Sequence, residues 1–114
     1  MRRQPAAYRL TRQADADLEA LLDWTLVRFG ARQFRAYASL IERALDAVAQ
    51  APERPGSAAR DELGPGLRTF HVGLLARRHG AARHLLVYRP GRDGVVEVVR
   101  ILHDAMDIRR HTPD

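Results

Sequence analysis

The chain has 114 residues with 46% hydrophobic and 29% charged side chains, which predicts one folded domain over residues 1–114 and excludes an intrinsically disordered protein. Its 19 basic side chains are all arginine and exceed the 14 acidic ones, so a Schiff-base lysine is excluded and an acidic or polyanionic partner is favoured. The absence of cysteine excludes disulfides, thiolate metal sites and a cysteine nucleophile.

The N-terminal half predicts a short strand followed by two helices. Residues 7–10 (AYRL) alternate small or polar side chains with apolar ones and stop at Thr11, a common helix N-cap residue. Apolar residues then recur every three or four positions up to Gly30 and predict a first helix over about 12–29. The members of this stripe are Ala14, Leu18, Leu21, Leu22, Thr25 and Phe29. The same period continues over 34–48 and ends at a Pro-rich segment, so the second helix folds back on the first as an antiparallel hairpin.

The C-terminal half predicts three strands, at 67–72 (LRTFHV), 83–89 (RHLLVYR) and 95–103 (VVEVVRILH). The turn PGRDG joins the last two, and the last strand is apolar on both faces, so we expect it inside the sheet. The connection GLLARRHGAA is too long for a tight hairpin, and an extension of the strands into it would form a basic tip at Arg77, Arg78 and His79. In the tail, Met106 and Ile108 are expected to cover one end of the core.

This order of elements predicts an α+β fold. An N-terminal strand and an antiparallel helical hairpin would pack on a small, mainly antiparallel sheet, in the order β-α-α-β-β-β. The apolar stripes of both helices need a surface to cover, and the three C-terminal strands supply it.

Five segments between Tyr8 and His111 carry a family pattern. In chain order they are YRLTRQADADLEALLDW, RFG, RDELGPGLRTFHVG, HLLVYR and VVEVVRILHDAMDIRRH. Together they resemble the toxin component of ParDE-type toxin–antitoxin modules, within the wider RelE/ParE superfamily. The resemblance implies the same fold that the periodicity indicates. It also implies a bacterial toxin that a ParD-like antitoxin, encoded beside it, holds inactive in a hetero-oligomer.

The resemblance implies one of two activities. ParE-like members bind DNA gyrase and trap it on cleaved DNA, so such a chain needs no catalytic residue of its own. RelE-like members cleave mRNA in the ribosomal A site. We favour the gyrase poison and keep two alternatives, an mRNA endonuclease and a decayed toxin retained as an antitoxin-binding module.

RNA cleavage would require basic or acid–base side chains that converge on one patch. The candidates are Arg68, Arg89, Arg100, His103 and His111. The lysines that several RelE-like ribonucleases use there are absent. Each of these arginines sits in a predicted strand, where a half-buried guanidinium requires an internal partner, so structural pairing is the favoured interpretation. A strand-end histidine bound to the backbone is the simpler explanation of His103.

The antitoxin would bind side chains that the core does not need. Trp24, Leu26 and Val27 lie off the stripe of the first helix and predict an exposed apolar groove for an antitoxin helix. The alternative is that Trp24 closes over the N-terminal strand. The open side of the sheet would add three cations for acidic antitoxin groups: Arg68, Arg89 and Arg100.

The target, gyrase and the DNA bound to it, would meet the basic connection and the C-terminal tail. The candidate contacts are Arg77, Arg78, Arg83, Arg109 and Arg110. A solvated basic hairpin, and pairing of Arg110 and His111 with Asp104 and Asp107, are the simpler interpretation. The histidines His71, His79 and His84 lack the ligand spacing of a metal site, and no signal peptide or apolar run of roughly 18 residues is found. We therefore expect a cytoplasmic protein without metal, cofactor or membrane contact.

Overall fold

The structure, a computed structural model, describes residues 7–76, 82–106 and 108–111. Its helices and strands are β1 (Tyr8–Leu10), α1 (Arg12–Phe29), α2 (Ala31–Gln50), β2 (Ala58–Ala59), β3 (Arg68–His71), a 3-10 helix (Val72–Leu75), β4 (His84–Pro90), β5 (Val96–His103) and α3 (Ile108–His111). These elements confirm the predicted α+β fold. Within the described residues, no helix combines the length and the apolar character that a membrane crossing requires.

Five strands form one mixed sheet in the order β1-β5-β4-β3-β2. β1 runs parallel to β5, because the helical hairpin after β1 and the antiparallel strands that follow bring β5 beside it in the same direction. β5 therefore lies inside the sheet, as its apolar faces predict. β2 is not predicted, since two alanines carry no periodic pattern, and it pairs antiparallel with β3.

A single residue joins α1 to α2. Thr11 begins α1 as predicted, because its hydroxyl oxygen accepts a hydrogen bond from the backbone N–H of Ala14 at 3.1 Å. Gly30 ends α1 with a φ of 90°, a left-handed value that favours glycine, and α2 begins at the next residue. The two helices therefore fold back on each other without a longer loop.

Two hydrophobic clusters cover the two faces of the sheet, and neighbouring residues of β4 and β5 alternate between them. The larger cluster fills the space between the hairpin and the sheet and includes Tyr88, Phe70 and Ile41, each at most 1% exposed. The smaller cluster consists of Leu63, Leu67, Val87, Val99 and Leu102, with Ile108 packed against it. The tail thus covers the core through Ile108 as predicted, whereas Met106 is 37% exposed.

Two predictions, one about the core and one about the connection between strands, are wrong. Phe29 is predicted to lie in the core but is 58% exposed. Among the described α1 side chains, Leu22 is the last that packs on the larger cluster, and Phe29 lies beyond it. The strands do not extend into the connection after β3. His71 ends β3, since its Nδ1 accepts the backbone N–H of Gly73 at 2.9 Å and caps the 3-10 helix. The predicted basic tip at 77–79 lies outside the described residues.

The edge of β5 beside β1 is completed by side chains at the start of α1. β1 pairs only with the first three residues of β5. Beyond it, the Thr11 hydroxyl donates to the carbonyl oxygen of Val99 at 2.9 Å. The Asp17 carboxylate accepts the backbone N–H of Ile101 at 2.9 Å and two guanidinium hydrogen bonds from Arg100, at 2.8 and 2.9 Å. α1 thereby satisfies backbone groups that β1 leaves open.

The Asp17–Arg100 ion pair is largely buried, with each side chain 16% exposed. Its hydrogen bonds raise the pKa of Arg100. Glu97 of the same strand is not the partner of Arg100 and binds Arg89 instead. The carboxylate partner of this strand arginine thus lies on α1, 83 residues away in sequence.

Replacing Asp17 by alanine should lower the free energy of unfolding by about 3 kcal/mol, because it removes the carboxylate that binds the Arg100 guanidinium and the Ile101 N–H. Urea denaturation would measure the loss. Glu19→Ala removes an exposed acid from the same helix and should cost less than about 0.5 kcal/mol. A loss for Asp17→Ala no larger than that of this control would show that the β5 edge does not depend on Asp17.

Candidate functional surfaces

The strand arginines belong to three separate networks, of which the one at the edge of β5 is described above. Arg68 belongs to a second, in the segment that follows α2. Its Nε donates to the Ser57 hydroxyl at 2.8 Å and to the carbonyl oxygen of Pro52 at 3.2 Å. The buried Tyr88 hydroxyl joins this network, 2.6 Å from the Ser57 hydroxyl and 2.5 Å from the Pro52 carbonyl oxygen. The Arg68 side chain is 17% exposed, so this is a structural cluster rather than an open cationic patch.

Arg89 lies in the third network, on the face of the sheet away from the hairpin. Its Nε and Nη2 approach one oxygen of Glu97 at 2.9 and 2.8 Å. Arg9 of β1 lies 3.9 Å from the same carboxylate and pairs with Asp93 at 3.3 Å. Each strand arginine therefore has an internal partner, as the structural interpretation predicts. Their guanidinium groups are held in different parts of the fold and do not meet at one patch.

Two histidines and a tyrosine meet where β4 begins and β5 ends. The Tyr37 hydroxyl of α2 lies 2.7 Å from Nδ1 of His84 and accepts the backbone N–H of Arg83 at 3.1 Å. The hydroxyl keeps its own proton to donate, so a neutral His84 ring with its hydrogen on Nε2 accepts that proton at Nδ1. The ring of His103 stands edge-on to His84 with 5.5 Å between centroids. His103 also accepts the backbone N–H of Ala105 at 3.1 Å, which agrees with the simpler interpretation of this residue.

The Tyr37–His84 hydrogen bond joins two uncharged groups at neutral pH. Burial, together with the nearby His103, lowers the pKa of His84 to about 4. Burial also raises the pKa of Tyr37. Neither ring therefore exchanges a proton readily at neutral pH, which suits a structural contact better than acid–base catalysis.

His71 and Asp104 form a separate pair. Because Nδ1 of His71 accepts the Gly73 N–H, its hydrogen lies on Nε2, which donates to Asp104 at 3.0 Å. This bond lowers the pKa of Asp104. Sequence analysis predicts that Arg110 and His111 pair with Asp104 and Asp107, and the structure gives Asp104 a hydrogen bond from His71. Among the described side chains, no group of three or more histidines and carboxylates could hold a metal ion.

The end of the helical hairpin, residues 23–36, carries an exposed apolar surface, and we call it the hairpin tip. Trp24 is 59% exposed, Leu26 42% and Val27 87%. These off-stripe side chains therefore face solvent as predicted, and Trp24 does not close over β1. Phe29, which sequence analysis assigned to the core, joins them: its ring stands edge-on to Trp24 with 5.6 Å between centroids. Its position next to Gly30, past the last core contact of α1, is the signal that could have placed it there.

The charge around this apolar surface is positive. Arg28, Arg32 and Arg35 of the hairpin tip are exposed, and Asp23 is the only acid within residues 23–36. The side chains that fit such a surface are apolar anchors with acidic neighbours.

The structure describes three of the arginines predicted to meet the target. Arg83 is exposed just before β4, and its carbonyl oxygen accepts the backbone N–H of Asp104 at 2.7 Å. Arg109 and Arg110 are exposed on α3, which packs on the smaller hydrophobic cluster through Ile108. Outside the described parts of the chain lie Arg77, Arg78, Asp107 and the side chain of His111.

Comparison with known proteins gives a family for these features. A family model described as ParE toxin of type II toxin-antitoxin system, parDE, matches residues 8–108. The chain is 36% identical over 104 residues to Toxin ParE1 of Mycobacterium tuberculosis, which covers 91% of this chain and 95% of that protein. It is 33% identical over 108 residues to Toxin ParE of Escherichia coli, which covers 95% of this chain and 94% of that protein.

A solved structure supports the fold. A chain from the chromosomal ParDE TA system from P. aeruginosa superimposes with a TM-score of 0.63 at 22% identity. The match covers 87% of this chain and 96% of that chain. At this level of identity the likeness concerns the fold alone.

Lowering the pH from 6.5 to 4 should cost the folded protein roughly 2–3 kcal/mol through His84, after a reduction for partial solvent exposure. The pKa of about 4 in the folded state lies below the ordinary value of 6.5, so the unfolded chain takes up the proton first. The contribution of His84 is complete above pH 6.5 and is lost as the pH falls towards 4. Urea denaturation at about pH 7, 6 and 5 would measure this dependence.

His84→Gln is the control for this experiment. Glutamine keeps an acceptor for the Tyr37 hydroxyl but cannot be protonated, so the variant should show a flatter dependence between about pH 6.5 and 5. The acids with lowered pKa values lose their contribution mainly at lower pH. An unchanged slope in His84→Gln would assign the effect to another group.

Proposed function

Because the chain belongs to the ParE toxin family of type II toxin–antitoxin systems, we propose that it poisons DNA gyrase by stabilising the cleaved-DNA complex until a ParD-like antitoxin neutralises it. In this mechanism gyrase breaks the DNA, and the chain contributes binding surfaces rather than a catalytic residue or a cofactor. The neutralised form is a hetero-oligomer of toxin and antitoxin.

The observation that carries the mechanism is the separate pairing of Arg68, Arg89 and Arg100. Cleavage of a phosphodiester requires basic or acid–base groups within about 3 Å of the same reacting atoms. Each of these guanidinium groups instead binds a different internal partner. Moving one to an RNA phosphate would leave its carboxylate or hydroxyl without that partner, at a cost in stability. This arrangement supports binding to gyrase over mRNA cleavage at the ribosome.

The proposed contacts with gyrase and its bound DNA are exposed arginines of the connection before β4 and of the tail. Arg83 lies before β4, and Arg109 and Arg110 lie on α3. The sequence adds Arg77 and Arg78 in the same connection as Arg83. A net charge of +5 favours association with a complex that contains DNA.

The proposed antitoxin surface is the hairpin tip. Trp24, Leu26, Val27 and Phe29 would receive the apolar face of an amphipathic antitoxin helix, and the arginines around them would meet its acidic residues. A large exposed tryptophan is a common anchor in such interfaces. The strand arginines that sequence analysis added to this surface are left out, because they are paired within the chain.

The purified chain, free of antitoxin, should convert supercoiled plasmid to linear DNA in the presence of gyrase from its own or a related host and ATP. The cleaved DNA appears after denaturation and protease treatment, because the toxin holds gyrase on the broken strands. Addition of the cognate antitoxin should suppress the linear product. Gel electrophoresis measures both effects.

Two controls make this result specific. Omission of gyrase should leave the plasmid intact, since the chain is proposed to cut no DNA itself. The proposal fails for that gyrase if the plasmid stays supercoiled with active toxin present. Translating ribosomes with a labelled mRNA are then the next substrate, and a single substitution that abolishes cleavage there would support the endonuclease alternative.

Val27→Asp should weaken antitoxin binding about tenfold or more, because it places an unpaired charge in an apolar contact. Val27 is 87% exposed, so the substitution should leave the fold intact. Isothermal titration calorimetry with the cognate antitoxin measures the change. Leu74→Asp, at a side chain 51% exposed on the 3-10 helix, is the matched control and should retain wild-type affinity. Equal losses in the two variants would contradict a specific role of the hairpin tip.

A further inference from the structure

The hairpin tip extends past the hydrophobic core. Among the described residues, the last hairpin side chains that pack on the larger cluster are Leu22 of α1 and Tyr37 of α2. Thr25 lies between them in sequence and is buried, but its hydroxyl donates to the carbonyl oxygen of Leu21 in the same helix at 2.7 Å. Packing on the core therefore ends where the apolar surface of the tip begins.

Tyr37 makes the polar contact with the sheet that lies next to the tip. Its hydroxyl lies within hydrogen-bond distance of Nδ1 of His84, at 2.7 Å, and accepts the backbone N–H of Arg83 at 3.1 Å. The two rings stand edge-on with 5.5 Å between centroids. One side chain of α2 is thus bound both to the backbone before β4 and to the first side chain of β4.

We propose that Tyr37 and His84 are positioning residues, whose hydrogen bond holds the hairpin tip in place and pre-organises the surface that receives the antitoxin. This inference rests on the proposed function, in which the antitoxin binds the hairpin tip. A surface that is already ordered loses less conformational entropy when a partner binds, so the bond contributes to affinity without touching the antitoxin.

The geometry depends on a histidine that stays neutral. Nδ1 can accept the Tyr37 proton only while it keeps its lone pair, so protonation of His84 would remove this acceptor and leave the Tyr37 proton without it. The titratable and charged groups that face His84 are Tyr37 from α2, Asp17 from α1, His71 from β3, His103 from β5 and Asp104 after β5. Burial outweighs the two carboxylates among them, so the ring is neutral at physiological pH.

Tyr37→Phe tests the proposal in the full-length chain, because it keeps the ring and removes only the hydroxyl. The dissociation constant for the cognate antitoxin should rise roughly threefold to tenfold, the range that one hydrogen bond supports. Trp24 is the only tryptophan in the chain and reports on the tip directly. Its steady-state fluorescence anisotropy in the free protein should fall, because the tip is held less firmly.

Tyr88→Phe is the matched control. It removes another tyrosine hydroxyl, which is hydrogen-bonded to Ser57 and to the Pro52 carbonyl oxygen in the segment after α2. This variant should lose stability but keep the Trp24 anisotropy and the antitoxin affinity of the wild type. Equal effects of the two variants on both readouts would reduce Tyr37 to a general contribution to stability and overturn the proposal.

Val27→Asp separates failure of this proposal from failure of the proposed function. Wild-type affinity of Val27→Asp would show that the hairpin tip is not the antitoxin surface, and both conclusions would fall. Weak binding of Val27→Asp together with wild-type affinity or wild-type Trp24 anisotropy of Tyr37→Phe would leave the surface in place and overturn the positioning role alone. Weak binding of both variants, with reduced anisotropy in Tyr37→Phe, supports both.

Discussion

The architecture depends on how the edge of β5 is closed. β5 runs through the sheet with β4 on one side, but β1 covers only its first three residues on the other. A buried strand edge needs partners for its backbone groups, and Asp17 supplies one for Ile101 while it also neutralises Arg100. These contacts fix α1 against the sheet. Because Gly30 alone joins α1 to α2, they also fix where α2 lies and where the hairpin ends.

Local patterns in the sequence predict most of the helices and strands, because apolar spacing, helix caps and turns depend on residues that are close in sequence. The three- and four-residue spacing of apolar side chains, the Thr11 cap and Gly30 predict α1 with the bounds that the structure shows. The apolar faces of β5 predict its interior position. Phe29 follows the same spacing yet faces solvent, because periodicity describes a helix face and does not show where the sheet beneath it ends. β2 is missed because two residues have no period.

The candidate functional surfaces are less predictable from the sequence than the helices and strands. An arginine in a predicted strand indicates that its guanidinium group needs a partner. The partner of Arg100 lies 83 residues away in sequence, so no local pattern identifies it. Trp24, Leu26 and Val27 could be identified because they break the stripe of an otherwise regular helix. The Tyr37–His84 contact could not, since a tyrosine on a stripe and a histidine in a strand both look like ordinary core residues. Long-range pairs of this kind determine how the predicted helices and strands pack together and which surfaces they expose.

The one-residue joint at Gly30 has a consequence for how such toxins diverge. A residue inserted there and added to the start of α2 would turn the rest of that helix by about 100° around its axis and shift it by about 1.5 Å. Tyr37 would then move away from His84, and the core side chains of α2 away from their cluster. We therefore expect related chains to keep the length of this joint. Changes in partner preference at the hairpin tip would then come from exchanged side chains on a frame of constant size.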